Sequence, residues 1–176
     1  MKNTFFLFGC LVISAITSCV NKGVSELAVL ELKMSSLEKN ISDLELNKIG
    51  MALDGYNYNL DLIKKCLDTL ENDYVLKINQ YKGIKKACPA FSNNYSITTR
   101  NIYTELEQLN FLKADLDAQL IEEDSINYFL DLENRNILKI ADDVNVLLEL
   151  YSLINHLHDS LHEPIKVMVQ NYCGRK

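Results

Sequence analysis

The sequence predicts an all-α fold, and three observations carry that expectation. Apolar residues recur at spacings of three and four through most of the chain, the period of a helix with one buried face. No stretch of useful length alternates apolar with polar residues, as a half-buried strand would. Turn chemistry is scarce: 176 residues hold six Gly and two Pro, so the chain is built from a few long elements. Such elements are expected to close into an up-down-up-down four-helix bundle, or into an extended antiparallel coiled coil with one very long C-terminal helix.

At the N-terminus, Met1-Lys2-Asn3 carries one positive charge, and Phe5 to Ile16 is apolar apart from Gly9 and Ser14. About a dozen apolar residues is too few for a permanent span and suits the h-region of a signal peptide. The run closes with Ile16-Thr17-Ser18-Cys19. This box resembles the lipobox of bacterial lipoproteins, and the resemblance covers the first 19 residues. It implies that a diacylglyceryl group is attached to the Cys19 thiol, that residues 1–18 are removed, and that the new amino group is acylated. Residues 19–24 would then be a lipidated tether, 25–173 a single helical domain and 174–176 a tail. At about 0.8 kcal/mol per buried methylene, one long acyl chain contributes roughly 10 kcal/mol to membrane binding. The membrane is the partner expected through that lipid. In lipoproteins of enteric bacteria an Asp after the cysteine favours the inner membrane, whereas here Val20 follows. Val20-Asn21-Lys22-Gly23 also lacks the acidic run that favours surface export in Bacteroidetes-like bacteria. The implied place is the outer membrane, facing the periplasm.

Ser25 is the expected N-cap of the first helix. Leu27, Leu30, Met34, Leu37, Ile41 and Leu44 form its heptad seam. Gly50 and Gly55 place the first turn near residues 54–57. The second helix carries Tyr56, Leu60, Ile63, Leu67, Leu70, Tyr74, Ile78, Tyr81 and Ile84 on one stripe. Pro89 is expected to stop it, and Cys88 to Ile97, rich in Ser and Asn, reads as the one clear loop. Thr98 or Thr99 caps the third helix, with Ile102, Leu106, Leu109, Leu112, Leu116 and Leu120 on its stripe. A turn near Asp124 follows, and Asp124 or Ser125 caps the fourth helix. Its stripe is Ile126, Leu130, Ile137, Ile140, Val144, Leu147, Tyr151, Ile154 and Leu161. Pro164 ends or kinks this helix, leaving residues 165–172 for a short terminal turn.

The formal net charge is −6 and no basic patch is visible, which argues against nucleic acid as a partner. Gly-x-Ser-x-Gly, P-loop, GxGxxG, CxxC and HExxH motifs are all missing, so neither a catalytic residue nor a cofactor is expected. The three histidines lie together at His156, His158 and His162. His158 and His162 are four apart, share a helix face and could chelate a divalent metal. The alternative is a solvated helix end with imidazoles facing the C-terminal dipole.

If Cys10 leaves with the signal and Cys19 is lipidated, Cys66, Cys88 and Cys173 remain. Along one continuous helix Cys66 and Cys88 would be about 33 Å apart, whereas a disulfide needs Cα atoms within about 7 Å. Helices two and four of a bundle finish at one pole, so a Cys88–Cys173 bridge is expected, with Cys66 free. With no chemistry elsewhere, the polar helix faces predict a non-enzymatic protein-interaction or scaffold module in the cell envelope. The alternatives are a metal-binding envelope protein centred on residues 156–163 and a surface-displayed ligand binder.

Overall fold

The computed structural model describes residues 3–66 and 72–173, with side chains described from 23 to 66 and from 74 to 173. The fold is all-α: α1 (Asn3–Ser42), α2 (Leu46–Cys66), α3 (Asn72–Tyr81), α4 (Gly83–Asp117) and α5 (Glu123–Cys173). No strand occurs among the described residues. The chain forms two compact units. Unit 1 is Met1–Asn40 with Thr98–Asp142, and unit 2 is Ile41–Ile97 with Asp143–Lys176.

In unit 1 the heptad seam of α1 is the buried face, with Leu27 1% and Met34 0% exposed. The helix runs without a break through residues 19–24, expected as a tether, and through Ser25, expected as its cap. Ile16, Thr17, Ser18 and Cys19 fall within α1, and their side chains lie outside the described residues. Gly23 of α1 faces Leu116 of α4 and Ile126 of α5. Further along, the Lys33 Nζ donates to Asn134 Oδ1 at 3.0 Å, and Lys113 pairs with Glu31 at 2.9 Å. As numbers rise along α1 they rise along α5 and fall along α4. In this unit α1 is therefore parallel to its stretch of α5 and antiparallel to its stretch of α4.

The turn between α4 and α5 comes close to where it is expected. Gln119 adopts the left-handed conformation, with φ 55°. Its N–H bonds to the Leu116 carbonyl at 3.1 Å, and the Leu120 N–H bonds to the Asp115 carbonyl at 2.9 Å. This pair of bonds is a Schellman motif, here with glutamine at the position glycine usually takes. Glu123 and Asp124 then sit in the first turn of α5, where the helix dipole favours negative charge.

In unit 2 the first turn lies at residues 43–45, not at 54–57. Gly50 and Gly55 are both inside α2. A helical glycine costs about 1 kcal/mol against alanine, which packing of the same helix readily outweighs. The expected loop at Cys88–Ile97 is also helix, because α4 runs through Pro89. Proline in a helix costs about 3 kcal/mol. Cys88 and Phe91 beside it are each 2% exposed, and large apolar side chains return roughly 1.5–3 kcal/mol apiece on burial. Likewise α5 continues past Pro164, where Ile165 (1%), Met168 (4%) and Val169 (0%) are buried. The interruption instead falls at Lys82. Next to it, a Cβ on Gly83 would lie 2.8 Å from Leu157 Cδ1, so glycine lets α5 approach the start of α4.

Three contacts set the register between α2 and α5. The Glu45 N–H donates to the Tyr151 hydroxyl, Asn59 meets His162, and Cys66 is bonded to Cys173. Their separations in sequence are 106, 103 and 107 residues, so the two helices are parallel here. The disulfide therefore differs from the expected Cys88–Cys173 bridge. The pair is Cys66–Cys173, with Cα atoms 5.1 Å apart, and Cys88 is the free, buried cysteine. The reason is the register. Helix α2 ends at Cys66 and does not continue to Cys88, so its last residue, not a later one, lies beside the end of α5.

Candidate functional site

A polar cluster in unit 2 forms where α2 and α3 meet the histidine-rich turn of α5. His158 and His162 stack with ring centroids 4.7 Å apart and planes 18° apart. Helical spacing alone brings them together, since residues four apart lie one above the other. On α2, Gly55 leaves the space the rings fill. A Cβ there would lie 2.8 Å from His162 Cε1, 2.9 Å from its Nδ1 and 3.4 Å from His158 Nε2.

One turn along α2, Asn59 is fully buried. Its Nδ2 donates to the His162 carbonyl at 3.1 Å and lies 3.2 Å from His162 Nδ1. The Tyr81 hydroxyl from α3 lies 3.0 Å from the same nitrogen. An amide nitrogen can only donate, so Nδ1 is the acceptor and the ring proton is assigned to Nε2. Glu163 Oε1 is 3.7 Å from that nitrogen. Burial, and then the neighbouring His158, hold the His162 pKa below its usual value. Burial also pushes Tyr81 up to about 12. Asn59 Oδ1 is buried and makes no hydrogen bond, a cost of about 1–3 kcal/mol that the other three contacts must offset.

This arrangement favours the neutral form of the imidazole. His158 and His162 do lie together, as their spacing predicts, but His162 Nδ1 is already engaged. Among the described residues, no group of three or more His, Cys, Asp or Glu side chains is placed to hold a metal. His156, the third of the clustered histidines, is exposed on the same helix.

Unit 1 holds a second polar feature. Glu105 of α4 and Glu133 of α5 are 4% and 9% exposed. Asn136 Nδ2 donates to Glu133 Oε2 at 3.0 Å, while Glu105 Oε1 is buried without a hydrogen bond. Burial first, and then its closeness to Glu133, push the Glu105 carboxyl up to about 8. At neutral pH it therefore carries its proton, which avoids burying two like charges together.

The third feature is an apolar cleft of about 330 Å³ in unit 2, lined by Leu46, Ile49, Leu53, Cys88, Phe91 and Tyr95. The Cys88 Sγ points at the Ile49 carbonyl, 4.0 Å away, and burial raises its thiol pKa. A thiol so placed is a poor nucleophile. No helix among the described residues is long and apolar enough to cross a membrane.

Asn59, Glu105 and Glu133 escaped sequence reasoning, while Tyr81 was expected only as a stripe residue and Gly55 as part of a turn. Glu105 and Glu133 sit at seam positions between Ile102 and Leu109 and between Leu130 and Ile137. Asn59 falls three residues after Tyr56 on a buried face, and Gly55 is a glycine inside a helical pattern. No protein-family model, curated protein or solved structure matches the chain.

Proposed function

We propose that this chain is a lipid-anchored helical protein of the cell envelope, acting as a non-enzymatic protein-interaction or scaffold module. Two features support export. The N-terminal segment resembles a lipoprotein signal ending at Cys19. The observation that carries the reading is the Cys66–Cys173 disulfide, since such bonds persist in oxidising compartments outside the cytoplasm. The outer membrane, facing the periplasm, is the proposed location, and the residue after Cys19, a valine rather than an aspartate, supports it.

A non-enzymatic role fits the polar clusters. The half-buried His162 and the buried carboxylate pair each sit within helix packing, and neither lines the apolar cleft. Exposed apolar side chains such as Phe111 (70%) and Tyr128 (62%) offer contact area to a protein partner. The 51 residues of α5 support the arrangement with one very long C-terminal helix over the four-helix bundle. The test is crosslinking in the native envelope of wild type and Cys19→Ala. A discrete protein adduct that depends on Cys19 supports the reading. The same products from both, or soluble wild-type protein, would contradict it.

A further inference from the structure

The packing of α1 places the proposed lipid at one definite pole of unit 1. Gly23 fits so tightly between α4 and α5 that a Cβ would lie 2.9 Å from Ile126 Cγ2 and 3.9 Å from Leu116 Cδ2. Leu116 is the last buried residue of α4, and Ile126 is the first of α5. Gly23 therefore sits beside the turn that joins them. Cys19 lies four residues earlier in the same helix, about 6 Å along its axis. No extended tether intervenes, so the backbone position at which a lipid would be carried, Cys19, lies next to the α4–α5 turn.

That turn presents an apolar side chain to its surroundings. Leu120 is 73% exposed, the highest value among the large apolar side chains of the described residues. It occupies the position after the left-handed residue of the Schellman motif, where an apolar side chain usually packs back on the helix. Around it the chain is acidic: Asp115, Asp117, Glu122, Glu123 and Asp124, with no Lys or Arg from 114 to 124. Anionic lipid repels such a turn, whereas a neutral, zwitterionic surface does not.

We propose that unit 1 docks on a zwitterionic lipid surface through the α4–α5 turn, with Leu120 entering the interface beside the anchor. This rests on lipidation of Cys19. One leucine binds a bilayer weakly on its own, but a neighbouring anchor makes the contact intramolecular and raises its effective concentration.

The experiment uses the full-length lipidated protein in phosphatidylcholine vesicles that carry a nitroxide-labelled lipid. A fluorophore is placed on Ala118→Cys beside the turn, or on Ser36→Cys, about 25 Å further along α1 from Cys19. Both positions are exposed. The probe at 118 should be quenched by the lipid and the probe at 36 should not. Leu120→Asn should weaken quenching at 118 about fivefold, the effect of losing a half-buried leucine. Phosphatidylglycerol in the vesicles should weaken it too, with the protein still attached. Equal quenching at 118 and 36, no effect of Leu120→Asn, or stronger quenching with phosphatidylglycerol would each overturn the docking while the anchor stands. Protein that does not float with the vesicles would overturn the anchor and the docking together.

Discussion

Gly55 and His162 touch so closely that the helix carrying Gly55 has no room for a side chain there: a Cβ would lie 2.8 Å from the imidazole Cε1. The ring cannot swing aside cheaply, because Asn59 and Tyr81 both hold its Nδ1. Gly55→Ala should therefore destabilise by about 1–3 kcal/mol through overpacking, even though alanine is the better helix former. Gly50, on the same helix, has nothing within 4 Å of its missing Cβ. Gly50→Ala should stabilise by up to about 1 kcal/mol. Opposite shifts in denaturant midpoint for the two variants would bear this out, and a stabilising Gly55→Ala would show that the ring is not locked.

His162 makes stability depend on mild acid. Its pKa is held below the ordinary 6.5 in the folded chain. As pH falls below about 6.5 the unfolded chain takes up the proton first, so stability is present above that pH and is lost as pH drops through the folded value. His162→Gln keeps an acceptor for Asn59 and removes the titration. Thermal melts should show a shallower acid loss for this variant than for wild type, whose carboxylates are otherwise the same. Equal slopes would mean that His162 titrates normally.

Glu105 acts in the opposite direction. Its folded pKa of about 8 lies above the ordinary 4.5. Between those values the folded chain holds a proton that the unfolded chain has lost, so this group's contribution to stability falls as pH rises. Glu105→Gln mimics the protonated carboxyl. It should raise the melting temperature by a few degrees at about pH 8 and have little effect near pH 4. A variant less stable than wild type at about pH 8 would mean that the carboxylate is charged and paired.

The Cys66–Cys173 bridge closes a loop of over a hundred residues and ties the ends of α2 and α5. Cys173→Ser should cost about 2–5 kcal/mol. Non-reducing peptide mapping should yield a peptide linking Cys66 to Cys173, with Cys88 alkylated only after denaturation. A Cys88–Cys173 peptide would contradict the parallel register of α2 and α5.

The all-α class was legible because helical periodicity persists through the whole chain. The seam of α1 and the turn before α5 were legible for the same reason. Pro89 and the Ser/Asn run after it misled, since local propensity there is overridden by the burial of Cys88, Phe91 and Thr98. Gly55 misled for a related reason: its missing side chain serves a contact with a helix more than a hundred residues away, not a turn. The expected disulfide was wrong for a separate reason: the stripe from Tyr56 to Ile84 reads as one helix, whereas α2 ends at Cys66 and so brings that residue beside Cys173. Of the buried acids, Glu133 was visible only as a gap in the stripe between Leu130 and Ile137, and Glu105 was masked by Leu106, which reads as the stripe residue of that turn. A gap reads equally as a solvated position until the neighbouring helix is in place.

The mass of the mature N-terminus, measured on protein taken from its native envelope, tests the proposed anchoring most directly. Lipidation at the box predicts a chain that begins at Cys19 and carries diacylglyceryl and acyl groups. A chain that still begins at Met1, or one cut elsewhere with an unmodified Cys19, would contradict it.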